Sequence, residues 1–198
     1  MDLLKKRVID TKMINKIINN HIEVAQNLTN HSKLIESICQ ITLDALKKNK
    51  KIIFCGNGGS ASDSIHIVAE LVGRFEKDRK GLSAIALSSN IANITAIGND
   101  YGFENIFSRQ VESLGEKDDV LFCLSTSGNS RNILNAVKQA DKMGIHCIGL
   151  SGKDGGKLKT SNQCKELLIV DSNSTARIQE IHILIGHILC SFIEKNLT

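Results

Sequence analysis

Five short apolar runs, at residues 52–55, 84–87, 120–124, 147–150 and 167–170, set the frame for this chain. Most are bounded by Gly, Ser, Asn or Asp and followed by residues at helical spacing. Strands alternating with helices predict an α/β fold: a parallel sheet with helices on both faces. In such sheets ligands sit beyond the carboxyl ends of the strands. Two leading amphipathic helices are expected over about residues 10–49. Ile14, Ile17, Ile18, Ile22, Ala25 and Leu28 form one apolar set, and Leu34, Ile35, Ile38, Ile41, Leu43 and Leu46 the other. A last helix is expected over residues 175–195. A length of 198 residues suits one domain, here 1–198 with a helical extension over about 1–49.

Two turns fall where ligands are expected. The first, Ser125-Thr126-Ser127-Gly128-Asn129-Ser130, follows a strand and opens a helix. A helix N-terminus carries unpartnered N–H groups and a positive dipole end, and so favours anions. No lysine lies in the turn, which separates it from the lysine-bearing loop of nucleotide hydrolases. Ordinary helix capping would account for one hydroxyl. Four hydroxyls, on Ser125, Thr126, Ser127 and Ser130, point instead to a phosphate monoester. The second turn, Gly56-Asn57-Gly58-Gly59-Ser60-Ala61, fits G-x-G-x-x-A. The ribose-binding acid of a dinucleotide site is missing, since Leu87 is followed by Ser88, Ser89 and Asn90. The glycines are read as letting the backbone approach a small ligand, with Asn57 offering its amide.

His66 and Glu70 stand four apart on the helix after the glycine turn, and so share one face. Such a pair serves as metal ligands, as an acid–base pair, or as a plain surface pair. Gln179, His182 and His187 lie on the largely apolar last helix, where a satisfied core histidine also accounts for His182. Gly98-Asn99-Asp100-Tyr101-Gly102 is expected as a polar turn, either simple turn chemistry or sugar-hydroxyl recognition.

Composition narrows the partners. Net charge is +4, with one Tyr and six Phe, and neither short basic cluster is interleaved with aromatics. Base-stacking recognition of nucleic acid is therefore not expected. Residues 77–80 (Lys-Asp-Arg-Lys) are expected in an exposed loop. Six cysteines show no metal-type spacing and suit buried thiols of a reducing cytoplasm. Met1 to Arg7 show no signal-peptide pattern, and no apolar stretch is expected to reach membrane-spanning length.

Five segments carry a family resemblance: CGNGGSASDSIHIVAELVGRF (55–75), IGNDYGFENIFSRQ (97–110), STSGNS (125–130), GLSGKDGG (149–156) and RIQEIHILIGHIL (177–189). On these the chain resembles the phosphoheptose (sedoheptulose 7-phosphate) isomerases of the sugar-isomerase, or SIS, superfamily. The resemblance implies a three-layer, flavodoxin-like sandwich with a central five-stranded parallel sheet. It implies that Ser125, Thr126, Ser127 and Ser130 hold the phosphate, and that Asn57, Gly58, Gly59, Asn99 and Asp100 contact the sugar, with Glu70 and Gln179 also binding substrate. It further implies Glu70 as base, His187 as acid, and one zinc ion held by His66, Glu70, Gln179 and His187. The implied reaction converts the ketose sedoheptulose 7-phosphate to the aldose D-glycero-D-manno-heptose 7-phosphate, the first step toward nucleotide-activated heptose for surface glycans. Some relatives carry Asp before Arg-Ile-Gln; here Ala176 stands there. The implied assembly is a homotetramer with sites at subunit interfaces. Helix geometry leads the same way: Gln179 and His187 are about 12 Å apart along one axis and about 80° apart around it, too far to share one ion comfortably. A second class, a non-enzymatic SIS protein that senses a sugar phosphate or binds a replication initiator, would keep the serine turn without needing Glu70 and His187.

Overall fold

The leading helices form where their caps and spacing direct them. The computed structural model describes residues 10–197, so Met1 to Arg7 lie outside the described residues. Asp10 caps α1 (Thr11–Asn27) by accepting the Lys12 N–H at 3.0 Å. A 3-10 turn, Leu28–His31, leads into α2 (Ser32–Lys47), which buries Ile35, Ile38 and Leu43. α1 behaves differently from its apolar pattern. Val24 is buried, but Met13, Ile14, Ile17, Ile18 and Ile22 are exposed. Its stripe faces away from the core of its own chain.

Five strands follow: β1 (Ile52–Gly56), β2 (Ala84–Ala86), β3 (Val120–Ser125), β4 (His146–Gly152) and β5 (Glu166–Val170). They lie in the order β2-β1-β3-β4-β5, and every neighbouring pair is parallel. This is the flavodoxin-like order, whose switch point lies between β1 and β3. The chain leaves β1 toward β2 and returns across it to β3, so the turns after β1 and β3 diverge and leave a crevice.

β1 and β3 are buried at every residue, because helices cover both faces. On one face Phe54 and Phe122 stack at 4.6 Å beneath α2, α3 (Gly59–Val72) and α8 (Thr175–Leu197). On the other, Ile53, Leu121, Cys123 and Cys147 pack under α4 (Ile91–Tyr101), α5 (Ser108–Leu114), α6 (Arg131–Lys142) and α7 (Gly156–Ser161). The sandwich has three layers, as the sequence predicts. All six cysteines are buried and free. Burial pushes the Cys39 thiol up to about 11 and those of Cys164 and Cys190 up to about 12, which keeps them protonated and unreactive.

One expectation is corrected. α8 is long and apolar enough, by length and composition, to cross a membrane. It is instead a core helix: Ile178, Ile181, Ile185, Leu189 and Ile193 are buried in the α2–α3–α8 layer. Its apolar character comes from having neighbours on several sides.

His182 lies within this helix, fully buried, its Nε2–H directed to the Ser151 carbonyl at 3.1 Å. Burial lowers its pKa from 6.5 to about 4. The unfolded chain takes up this proton below 6.5 while the folded chain stays neutral. The contribution to stability is therefore complete above pH 6.5 and is lost as pH falls toward 4, by about 3 kcal/mol in total. His182→Gln removes that titration. Its urea-unfolding free energy is expected to fall less than the wild-type value between pH 6.5 and 4; parallel curves would refute this.

Candidate functional site

The glycine turn and the serine turn meet at the switch point. β1 ends at Gly56 and α3 starts at Gly59, with Asn57 and Gly58 between. β3 ends at Ser125 and α6 starts at Arg131. The side-chain amides of Asn57 and Asn132 exchange two hydrogen bonds, both 2.9 Å, and bind the two turns together. Asn132 also takes the Ile133 N–H at 3.0 Å. It was not singled out in the sequence, although its place in the first turn of α6 was a usable signal. A cavity of about 290 Å³ opens here, lined by Asn57, Phe103, Glu104, Ser130, Arg131 and Asn132. Larger cavities of about 440 and 860 Å³ lie away from both turns, one beside His146 and one along α1 beside Arg177.

The hydroxyls of the serine turn are not spent on capping. Ser130 is the N-cap of α6 yet makes no side-chain capping bond. Its Oγ faces that of Ser125 at 3.4 Å. Ser127 Oγ accepts the Asn129 N–H at a long 3.3 Å, and Thr126 is half-buried beside it. The turn is braced from behind. Ser151 donates its hydroxyl to the Ser125 carbonyl at 3.0 Å, and the Leu158 N–H reaches the Gly128 carbonyl at 3.0 Å. Gly128 has φ +64°, and a Cβ there would lie 2.0 Å from the Gly155 carbonyl oxygen, so only glycine fits. The 149–156 segment thus supports the anion-type turn.

Lower on α3, a second cluster forms against α8. His66 Nε2 lies 3.2 Å from Glu70 Oε1. The His66 and His187 rings meet edge-on, with centroids 5.1 Å apart. One ligand atom from each of His66, Glu70 and His187 falls within 4.8 Å of the others. Gly186 makes this possible, because a Cβ there would lie 2.5 Å from the Ile67 side chain. Two imidazoles and a carboxylate converging this way fit a zinc ion by donor chemistry.

Gln179 is not in this cluster. It lies at the head of α3, where a Cβ on Gly59 would come within 2.3 Å of its Nε2. Gly59 and His66 are separated by about 10 Å along the helix axis. α3 and α8 therefore run parallel in step, Gln179 beside Gly59 and Gly186 beside Ile67. Within one chain His187 joins His66 and Glu70, while Gln179 joins the glycine turn. Asn99 and Asp100 are placed differently from the expected turn. They form the end of α4, with Gly102 closing it, and Asn99 Nδ2 donates to Asp100 Oδ1 at 2.7 Å. Both are exposed. Helix spacing from Ile91 wins over the local turn composition.

Comparison with known proteins gives a consistent result. The SIS domain family matches residues 18–152. A phosphoheptose isomerase of Nitratiruptor is 52% identical over 187 residues, covering 89% of this chain and 98% of the relative. One from Helicobacter hepaticus is 53% identical and covers 93% of each chain. Among solved structures, the Neisseria gonorrhoeae phosphoheptose isomerase superposes with a TM-score of 0.87 at 40% identity, covering 93% of this chain and 98% of the other. The Francisella tularensis phosphoheptose isomerase gives 0.89 at 37%, with the same coverage.

Asp63 is a further neighbour that the sequence reading missed. It precedes His66 by three positions, on the same face of α3. Its Oδ2 is buried without a hydrogen-bond partner among the described residues. Burial raises its pKa from 3.8 to about 6, against the opposing pull of His66. A carboxyl raised on folding weakens the fold as pH rises from about 4 through 6. Asp63→Asn is therefore expected to stabilise the metal-free protein at pH 7 by about 1 kcal/mol, after discounting for its solvent screening. The gain should vanish by pH 4. Paired thermal melts at pH 7 and pH 4 check both ends; equal differences would reject the assignment.

Proposed function

The chain belongs to the SIS-domain family of phosphoheptose isomerases, sugar-phosphate isomerases by class, and from that membership we propose that it converts sedoheptulose 7-phosphate to D-glycero-D-manno-heptose 7-phosphate. One observation carries the reading: Glu70 and His187, far apart in sequence, converge with His66 within 4.8 Å. A sensor of sugar phosphates has no need of that convergence. The heptose product would enter nucleotide-activated heptose synthesis for surface glycans.

In this reading the hydroxyls of Ser125, Thr126, Ser127 and Ser130, with the N–H groups that open α6, hold the phosphate. Asn57 and the exposed backbone of Gly58 and Gly59 face the sugar, with Asn99 and Asp100 reaching it from α4. Glu70 takes a proton from C1 of the ketose, and His187 gives one to the C2 carbonyl oxygen, leaving an enediol. A proton then returns to C2 while the C1 hydroxyl loses its own, and the aldose results. His66, Glu70 and His187 would hold one zinc ion, with Gln179 as fourth ligand. Zinc supplies polarisation of the carbonyl and stabilisation of negative charge on oxygen.

We propose further that the site is shared between chains of a homotetramer. Glu70 lies eleven residues beyond Gly59, about 16 Å along α3. From phosphorus to C1 a heptulose 7-phosphate spans six C–C bonds, one C–O bond and one O–P bond, about 1.5 Å each, and reaches at most about 12 Å. The phosphate turn of one chain therefore pairs best with Glu70 and His187 of another, and Gln179 with another chain's metal cluster. The exposed α1 stripe, with Ile65 and Val72 of α3, offers apolar surface for the contact. Six buried thiols suit a cytoplasmic location.

Three experiments test this. Glu70→Gln should abolish turnover of sedoheptulose 7-phosphate while inorganic phosphate still binds. Ser125→Ala with Ser127→Ala should weaken phosphate binding, by roughly 1.5–3 kcal/mol per lost hydrogen bond to the anion. Normal turnover in the first, or unchanged affinity in the second, would reject the corresponding role. For the shared site, inactive Glu70→Gln and inactive Ser125→Ala/Ser127→Ala chains are dissociated and mixed. Hybrids should regain part of the activity, since some sites then combine intact halves; no recovery would place each site within one chain.

A further inference from the structure

The connection between α3 and β2 contains a buried cation that the sequence placed in an exposed loop. The Arg79 side chain is only 6% exposed. Its guanidinium donates to the carbonyl of Glu70 at 2.7 Å and to that of Leu71 at 2.9 Å. Carbonyls at a helix C-terminus lack intrahelical donors, and a cation there also complements the dipole. Arg79 thus holds the last turn of α3 by the backbone of Glu70 itself.

The same guanidinium is tied to α8. Arg79 Nε lies 3.6 Å from Glu194 Oε1, and the Glu194 side chain is 4% exposed. Glu194 Oε2 accepts the Glu76 N–H at 3.1 Å. Burial raises the Glu194 pKa, but the Lys77 and Glu76 N–H groups and Arg79 outweigh it and hold the carboxyl below its ordinary range. Glu194 follows His187 by seven positions, two turns along nearly the same face of α8. Between these anchors, Phe75 lies over His187, with ring centroids 5.8 Å apart and planes 28° apart.

We propose that residues 73–83 form a positioning strap for the acid–base and metal cluster. Arg79 and Glu194 set the register of Glu70 against His187, and Phe75 sets the orientation of the His187 ring. None of the three touches substrate; each acts through Glu70 or His187. The inference rests on the reading of His66, Glu70 and His187 as the catalytic and zinc-holding cluster. The phosphate-holding hydroxyls belong to the serine turn, which stands at the other end of α3 in this chain and comes from another chain in the shared site, and none of the three residues is bonded to them, so phosphate affinity serves as the control.

The test uses two variants of the full chain. Arg79→Met with Glu194→Met replaces a buried ion pair by apolar side chains of similar length, a change that often leaves stability intact. Phe75→Leu keeps an apolar contact and removes the ring. Zinc affinity of the metal-stripped proteins is read by competition with a chelating dye, alongside kcat, KM and the affinity for inorganic phosphate. Both variants should bind zinc at least about tenfold more weakly, the scale seen when groups that orient metal ligands are lost. Their kcat should fall, while KM and phosphate affinity stay within about twofold of wild type. Zinc affinity unchanged in both variants would overturn the proposal, as would phosphate affinity falling in step with it, which marks general loosening. Wild-type protein that neither binds zinc nor turns over sedoheptulose 7-phosphate would overturn the underlying reading and the strap with it.

Discussion

The close, parallel contact of α3 with α8 is the constraint on which the site depends. Ordinary side chains hold two helices about 8–10 Å apart. Here glycines sit at two levels of the contact, Gly59 against Gln179 and Gly186 against Ile67. The approach brings His187 to His66 and Glu70, although more than a hundred residues separate them in sequence. Beyond them a buried ion pair closes the helices' far ends. A slip of one residue in this contact would turn His187 by about 100° around its axis and disperse the cluster.

The sheet provides the second fixed point. Its switch between β1 and β3 puts two loops side by side, and the Asn57–Asn132 amide pair locks them together. In the proposed reading the serine turn would hold phosphate with hydroxyls and main chain, without a lysine. Such a turn neutralises an anion less strongly than a charged side chain would. That would suit the proposed substrate, which must be released after each turnover. Ser151 and Gly155, from the neighbouring β4 segment, hold the turn's backbone in place, so its geometry exists before any ligand arrives.

The layered arrangement was legible in the chain because each element states itself locally. Strand runs such as 120–124 are apolar and flanked by turn residues, and the structure extends that run only to Ser125. The first two helices also follow their apolar spacing. Local pattern misled where neighbours decide. α1 reads as an amphipathic helix, yet its isoleucines lie exposed, because spacing identifies an apolar face without saying whether the same chain covers it. Asn99 and Asp100 read as a turn but complete a helix. Arg79 reads as solvated, because a basic cluster gives no sign that one of its members meets a glutamate more than a hundred residues away.

The sequence by itself determined the fold class and marked the two turns and the candidate site residues, since periodicity and turn composition are local properties. Tertiary structure alone decided how those residues are grouped. Gln179 and His187 share one helix, yet packing sends the first to the glycine turn and the second to His66 and Glu70. The physical reason is that helix rise separates residues of one helix along its axis, while close packing joins residues of different helices at the same level.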